Sequence, residues 1–245
     1  MGRWLLPISG GLCYLLFLAV FLYTVGFVGD FVVPKSMNSG PQGETTASML
    51  VDLLLMGLFA VPHSIMARRG FKARWTLIVP RPAERSAYVL ISTLLLALLL
   101  WQWRPLPGVV WEIRHPVGRI FSQALFWTGW TIVLWSTFSI DHFDLFGLRQ
   151  VYLYARGKPY KPVVFRAPIL YRFVRHPMMS GFLLAFWSTS RLTVGHLLFA
   201  AANTLYILVA IRLEERDLLA HHGDIYRDYH RRVGMLFPTH LFRLR

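Results

Sequence analysis

The 245-residue sequence has little charge and almost no cysteine. Charged residues make up 16% of it and hydrophobic residues 55%, whereas soluble domains usually carry about 25% charged residues. So little polar surface excludes a soluble Rossmann-type enzyme and a disordered chain. The single cysteine, Cys13, excludes a secreted disulfide scaffold and a cysteine-rich metal centre. The composition therefore predicts an integral membrane protein, and its 9 Trp, 10 Tyr and 18 Phe are typical of interfacial aromatic belts.

Long apolar runs are the predicted membrane helices, because a span needs about 20 mostly apolar residues. Four runs qualify, at 12–33, 47–66, 86–103 and 118–138. A fifth block, 178–211, is broken near Ser190, Arg191 and Gly195, and its short first arm predicts a tight helical hairpin. We expect an all-α integral membrane protein with five or six transmembrane helices, folded as a single domain over 1–245. Its predicted parts are four helices in 1–138, a cytoplasmic segment 139–177, the hairpin 178–211 and a cytoplasmic tail 212–245.

The basic residues predict the orientation of these helices. Only three residues precede Trp4 and no small-residue cleavage site follows, so the first run is expected to be an anchor and not a removable signal peptide. Lysine and arginine number 21 on one side of the predicted membrane and five on the other. Because basic loops stay cytoplasmic, both termini are predicted in the cytoplasm. The net charge of +14 then reflects topology, and no nucleic-acid partner is expected.

The first candidate site is a motif at the start of the hairpin, Tyr171-x-x-x-Arg175-His176-Pro177-x-x-x-Gly181. Proline is favoured in the first turn of a helix, where its missing N–H costs nothing. Arg175 and His176 are therefore predicted at a helix N-terminus, whose free backbone donors favour an anion. Gly181 allows close approach of another backbone or of a ligand. Alternatively, Arg175 only extends to the lipid–water boundary and marks the cytoplasmic side.

The second candidate site follows the hairpin. Arg212, Glu214 and Glu215 stand where the last span is predicted to end, and a Gly-x-x-Tyr-x-x-Tyr pattern follows with Tyr226 and Tyr229. Carboxylates at a membrane boundary need partners or a polar cavity. The acids either pair with neighbouring arginines on a solvated helix or hold the amine and hydroxyls of a ligand. The tyrosines either form an interfacial belt or wall an adenine site.

In order and spacing, the two motifs resemble the isoprenylcysteine carboxyl methyltransferase family over residues 171–233. The resemblance implies S-adenosylmethionine as the cofactor, in a cytoplasmic pocket that the C-terminal helix covers. Many members have Gly-Pro where Ile169 and Leu170 stand here, so a different local approach to the cofactor is expected. The resemblance implies cofactor-binding roles for ten residues: Tyr171, Arg175, His176, Pro177, Gly181, Arg212, Glu214, Glu215, Tyr226 and Tyr229.

Two further stretches point to another branch of the same superfamily. Residues 62–68, Pro-His-Ser-Ile-Met-Ala-Arg, and residues 139–150, Ser-Ile-Asp-His-Phe-Asp-Leu-Phe-Gly-Leu-Arg-Gln, resemble the bacterial methanethiol S-methyltransferases and the related NnrU-type membrane proteins. With them, the resemblance covers most of residues 50–235. It implies S-methylation of a small volatile thiol, methanethiol to dimethyl sulfide, at the cytoplasmic face of the bacterial inner membrane.

Such a reaction needs a group that takes the thiol proton, because the thiolate is the nucleophile and a small alkyl thiol is mostly protonated at neutral pH. Asp141-His142-x-Asp144 lies just beyond the fourth predicted span. On a helix the two acids share one face, and either can orient His142. One of the three is the expected base, with His142 favoured because its pKa suits neutral pH. Alternatively, the acids cap a helix or pair with Arg149.

His63 and Tyr154 are the further candidates for the base. His63 follows Pro62 near the end of the second span, where a histidine is either a functional residue or a hydrogen-bonded packing residue. No metal site is expected, since no second ligand cluster accompanies the Asp-His-Asp cluster.

Two other classes stay open at this stage, and the oligomeric state is not predicted. Membrane sterol reductases, which bind NADPH, have a similar Arg-His-Pro and tyrosine-rich region. NnrU-like proteins resemble membrane carotenoid isomerases that use haem, for which His63 and His142 are possible axial ligands. The stretch 139–150 favours the thiol methyltransferases.

Overall fold

The structure is a computed structural model that describes residues 4–162 and 168–238. It is about 73% helical, which confirms the all-α class. Arg3 and parts of the predicted cytoplasmic segment and tail, 163–167 and 239–245, lie outside the described residues.

The helices are α1 (Leu5–Gly29), α2 (Thr45–Met66), α3 (Arg69–Trp75), α4 (Glu84–Gln102), α5 (Pro116–Ile140), α6 (His142–Leu145), α7 (Leu148–Ala155), α8 (Pro177–Trp187), α9 (Val194–His222) and α10 (Asp224–Arg232). Two short strands, β1 (Val109–Glu112) and β2 (Arg191–Thr193), pair antiparallel.

Four of the described helical stretches are long and apolar enough to cross a membrane: α1, α2, the stretch Arg81–Gln102 that includes α4, and α9. The predicted fourth span forms the 25-residue helix α5, whose tryptophans, threonines and serines lower its mean hydropathy. The predicted first arm of the hairpin forms α8, an apolar helix of only 11 residues. The chain is therefore an integral membrane protein, and membrane crossing by α5 and α8 stays a prediction.

Three predicted helix ends were wrong. The first span begins at Leu5 and not at residue 12, since Pro7 is tolerated in the first helical turn. It ends at Gly29, because Asp30 takes a left-handed conformation (φ 60°) and donates its backbone N–H to the Gly26 carbonyl. At the other end of the chain, α9 continues past residue 211 to His222. Arginine and glutamate are good helix formers, so the helix extends beyond the end of the apolar run.

Contacts divide the chain into two compact units. The first consists of Met1–Gly108, Asp141–Val164 and Val194–His196, and in it α4 packs against α1 and α2 while α7 packs against α1. Gly147, between α6 and α7, has φ +86°, and a Cβ there would lie 2.8 Å from the Ser86 backbone nitrogen. Only glycine combines this conformation with this close approach. The turn that follows the Asp-His-Asp cluster is thereby held against the start of α4.

The second unit consists of Val109–Ile140, Phe165–Thr193 and Leu197–Arg245. Its main contact joins α5 to α8, where Gly129 and Gly181 face each other: a Cβ on Gly181 would lie 2.7 Å from the Gly129 carbonyl oxygen. Ile207 and Ile211 of α9 bury Leu236 in a small apolar cluster. The chain after α10 is therefore anchored against the last apolar helix.

Gly129→Ala is expected to destabilise this unit, because its Cβ would lie 2.6 Å from the Ala185 backbone nitrogen and α5 and α8 would have to separate. Overpacking of this kind costs about 1–3 kcal/mol. Gly57→Ala in α2 is the matched control, since nothing lies within 4 Å of its Cβ; it should be neutral or slightly stabilising. Thermal unfolding of the detergent-solubilised variants measures both. Equal midpoints for the two variants would refute the close α5–α8 contact.

Candidate functional site

Glu215 is the centre of a buried polar cluster in the second unit. It lies on α9 and is 8% exposed. Arg175 Nε donates to its Oε1 at 2.7 Å, His176 Nε2 lies 3.1 Å from the same oxygen, and His230 Nε2 lies 3.3 Å from Oε2. A carboxylate removed from water needs this many partners. The cluster therefore joins the start of α8, the end of α9 and the helix α10.

Arg175 also attaches the C-terminal segment directly. Its Nη1 donates to the His230 carbonyl at 3.0 Å and to the Val233 carbonyl. The backbone N–H groups of Arg175 and His176 donate to the carbonyls of Gly234 and Met235. The Arg175 side chain is only 9% exposed, so it does not extend to the membrane boundary, which was the alternative reading of this residue.

The helix α10 places two tyrosines over this cluster. Gly223, at φ +54°, separates α10 from α9. Tyr226 and Tyr229 are 1% and 9% exposed, so they do not form a lipid-facing belt. Burial raises the pKa of Tyr229 to about 12, and its hydroxyl therefore stays protonated and donates to the Tyr171 carbonyl at 2.7 Å.

The remaining candidate residues divide into packing residues and accessible ones. Pro177 is the first residue of α8, where the sequence predicted it. Gly181 packs against the backbone of α5, which explains why this position is a glycine. Arg212 and Glu214 are exposed on α9, and the Glu214 side chain is 50% exposed with Oε2 3.7 Å from His176 Nδ1.

The groups around this cluster fit the polar parts of S-adenosylmethionine. In the part of the chain that the structure describes, Arg175 donates its hydrogen bonds from Nε and Nη1, so Nη2 keeps two N–H donors for a carboxylate. The first turn of α8 adds backbone N–H groups, because His176 provides no side-chain cap there. Glu214 offers a carboxylate for an ammonium group or for ribose hydroxyls. The donor and acceptor types of these groups therefore match those of the cofactor. Arg175 also holds the C-terminal segment through the carbonyls of His230 and Val233.

Glu214→Gln is expected to weaken S-adenosylmethionine binding by about 10-fold or more, because a hydrogen bond to a charged group contributes roughly 1.5–3 kcal/mol. Stability should hardly change, since this carboxylate is half-exposed. Asp228→Asn, an exposed acid on α10, is the matched control. Binding is measured by isothermal titration calorimetry on purified protein. Unchanged affinity in Glu214→Gln would remove this residue from the site.

The candidate base residues lie in the first unit, around the short helix α6. Asp141 caps this helix, with Oδ1 accepting from the Asp144 backbone N–H at 3.0 Å. Asp144 accepts from Arg149 Nη1 at 2.9 Å and from the Tyr160 hydroxyl at 3.2 Å. Both structural roles that the sequence left open for the acids, a helix cap and a pair with Arg149, are present.

His142 is 6% exposed, and a hydrogen bond with α1 orients its ring: Tyr14 Oη lies 2.8 Å from His142 Nε2. Burial lowers the pKa of His142, and the charge of Asp141 opposes this shift. The ring is therefore neutral at neutral pH and able to accept a proton. Its role as the base stays a prediction.

The two other candidate bases have different surroundings. His63 belongs to α2 and faces α4, with its ring nitrogens 3.1 Å from Ser92 Oγ and 3.0 Å from Tyr88 Oη, and it stacks on Phe59. These contacts are those of a hydrogen-bonded packing histidine. Tyr154 is 40% exposed at the end of α7.

Sequence reasoning missed Tyr14 and His230. Tyr14 is 128 positions from His142, and it lies within an apolar run where a tyrosine carries no distinguishing signal. His230 lies in the basic end of α10, and its position one residue after Tyr229 was the only available signal. In the described residues no group of three or more His, Cys, Asp or Glu side chains is arranged to hold a metal ion.

The apolar helices and the buried Arg-His-Glu cluster at the end of α9 define the class: a helical integral membrane protein with a polar site. Over 238 residues the chain is 56% identical to the methanethiol S-methyltransferase of Mycobacterium tuberculosis, covering 97% of this chain and 98% of that one. It is 50% identical to the methanethiol S-methyltransferase of Crocosphaera subtropica, covering 97% and 93%. The chain belongs to the methanethiol S-methyltransferase family, and it is a methyltransferase.

A more distant relative indicates the wider membrane superfamily. Nurim of Mus musculus is 32% identical over 192 residues, covering 75% of this chain and 73% of that one. No family model matches the chain, and no solved structure matches it.

Proposed function

We propose that this protein transfers the methyl group of S-adenosylmethionine to the sulfur of methanethiol, forming dimethyl sulfide. The proposal rests on the identity of 56% with a methanethiol S-methyltransferase over 97% of the chain. It is supported by a donor and acceptor set around Arg175 and Glu214 that fits the cofactor. When bound, the cofactor supplies a methyl group activated by its sulfonium.

The chain's own residues then have separate tasks. Arg175 Nη2 and the first turn of α8 bind the amino-acid carboxylate, and Glu214 binds the ammonium group or the ribose hydroxyls. The Arg175–Glu215 pair and the hydrogen bond from Tyr229 to the Tyr171 carbonyl hold α10 in place over the cluster. Tyr226 is 1% exposed, and its ring provides an apolar surface beside the charged groups.

The thiol proton is the second requirement of the reaction. Methanethiol is mostly protonated at neutral pH, and its thiolate is far more nucleophilic than its thiol. His142 is neutral there, because burial lowers its pKa, and it accepts the proton. The acids next to it cap α6 and pair with Arg149, so they position the histidine's helix without taking the proton themselves.

The proposed location is the bacterial inner membrane, with both termini in the cytoplasm. The distribution of 21 basic residues against five over the predicted loops supports this orientation. A small apolar thiol dissolves in the bilayer, so a membrane enzyme can take it from either side. A C-terminal reporter that is active only in the periplasm would contradict the orientation.

The test of the function is conversion by the purified protein. Detergent-solubilised protein is incubated with methanethiol and S-adenosylmethionine carrying a deuterated methyl group, and the headspace is analysed by gas chromatography with mass detection. We expect dimethyl sulfide with one labelled methyl. The rival classes predict other signals: tight NADPH binding for a reductase, or a Soret band for a haem protein. Either signal without labelled dimethyl sulfide would overturn the proposal.

A further inference from the structure

An aromatic enclosure surrounds His142 in the first unit. The ring centroid of Phe146 lies 4.8 Å from that of His142, and Phe17 of α1 stacks on Phe146 at 4.2 Å. Tyr14 of α1 meets the imidazole edge-on at 5.6 Å. These rings remove the histidine from water, and aromatic rings are favourable neighbours of a sulfur atom.

The hydroxyl of Tyr14 lies next to Nε2 of the imidazole. Its Oη lies 2.8 Å from Nε2, which is the length of a well-formed hydrogen bond. Tyr14 is half-buried whereas His142 is buried, so the hydroxyl is the more accessible of the two groups. Tyr14 is also about 14 Å along α1 from Leu5, at 1.5 Å per residue. Since α1 is apolar enough to cross a membrane, this position is accessible to a small thiol dissolved in the bilayer.

The titratable groups around His142 favour a neutral ring that accepts a proton. Tyr14 faces it from α1, and Asp141 precedes it at the start of α6. Asp144, in the same helix, is neutralised by Arg149 from α7 at 2.9 Å. One negative charge, that of Asp141, therefore stabilises the imidazolium that forms when the ring takes a proton.

This geometry, given the proposed function above, points to Tyr14 as the catalytic residue that contacts the thiol, with His142 as the base behind it. In this relay the S–H bond of the thiol breaks and its proton moves to Tyr14 Oη. The hydroxyl proton of Tyr14 moves to His142 Nε2 at the same time, so the tyrosine stays neutral. The electron pair left on sulfur forms the new bond to the methyl carbon, and the pair of the broken carbon–sulfonium bond stays with the departing thioether, S-adenosylhomocysteine.

The first test removes only the hydroxyl. Tyr14→Phe should lower kcat/KM for methanethiol by about 10²-fold at neutral pH, the lower end of general-base effects. The loss should shrink as the pH rises toward the pKa of the free thiol, because solution then supplies the thiolate. Tyr23→Phe is the matched control on the same helix, since its hydroxyl donates to the Lys35 carbonyl; it should keep wild-type activity. A loss in Tyr14→Phe that is the same at every pH would mean a packing role and would overturn the inference.

The second test asks whether the two residues act as one unit. The double variant Tyr14→Phe/His142→Ala should lose no more activity than His142→Ala alone, because the relay is already broken. Losses that multiply would show independent roles. Wild-type activity is the reference for all of these variants. If the wild type forms no dimethyl sulfide, the proposed function fails. A wild-type rate in Tyr14→Phe contradicts only the role of Tyr14.

The third test does not depend on turnover. In protein labelled with ¹⁵N-histidine, the His142 Nε2 resonance of the wild type should be that of an unprotonated acceptor at neutral pH, with the proton on Nδ1. Tyr14→Phe should shift this resonance and populate the other tautomer, whereas Tyr23→Phe should leave it unchanged. A wild-type Nε2 that already carries a proton would exclude the relay, because it has no lone pair for the tyrosine proton.

Discussion

Glu215→Ala is expected to cost about 3–5 kcal/mol of stability, the cost of removing one partner from a buried ion pair. The substitution leaves the Arg175 guanidinium, 9% exposed, without its carboxylate. It also removes the acceptor of His176 and His230. The helix α10 should then detach from the end of α9, and S-adenosylmethionine binding should be lost with it.

The adjacent residue provides a matched control for this prediction. Glu214 lies on the same helix with a half-exposed side chain, so Glu214→Ala should cost about 1 kcal/mol or less, as for other exposed charge pairs. Glu215→Gln keeps one hydrogen-bond acceptor and should fall between the two. Thermal unfolding gives the stabilities, and limited proteolysis near Gly223 reports the detachment of α10. Similar stabilities for the alanine variants at 214 and 215 would contradict the central position of Glu215.

His142→Ala is expected to lower dimethyl sulfide formation by about 10²–10⁴-fold, as removal of a general base typically does. S-adenosylmethionine binding should stay nearly intact, because His142 is not among the groups assigned to it. The deficit should shrink at high pH, where thiolate is present without a base. The exposed His115 is the control, and His115→Ala should behave as wild type.

The pH profile of the wild type provides an independent check on His142. Burial lowers the pKa of this histidine below its ordinary value of about 6.5, and only the neutral ring accepts a proton. Activity should therefore persist below pH 6.5 and be lost only as the pH falls through the lowered pKa. The folded state also binds fewer protons here than the unfolded chain, so the contribution of His142 to stability decreases as the pH falls below about 6.5. Near-native activity of His142→Ala at neutral pH would instead direct the search for the base to His63 or Tyr154.

Features that depend on neighbouring residues were predictable from the sequence. The apolar runs locate the helices, because the cost of placing charge in a bilayer acts on each segment separately. Pro177 marks the first turn of α8 and Gly223 the end of α9, since the missing N–H of proline and the permissive backbone of glycine act within one or two residues. The helical class and the position of the Arg-His-Pro motif followed from these local effects.

The partners of the site residues were decided by the tertiary structure. Asp141 and Asp144 have the spacing to orient His142, yet Asp141 caps α6 and Asp144 pairs with Arg149, because the backbone N–H of α6 and the Arg149 guanidinium lie within hydrogen-bonding distance of them. Tyr14, 128 positions away, hydrogen-bonds with His142, and it becomes a neighbour only when α1 packs beside α7. Glu215 likewise binds Arg175 across 40 positions. A buried polar group takes whichever partner the packed helices bring within hydrogen-bonding distance, and that choice depends on contacts that no local pattern encodes.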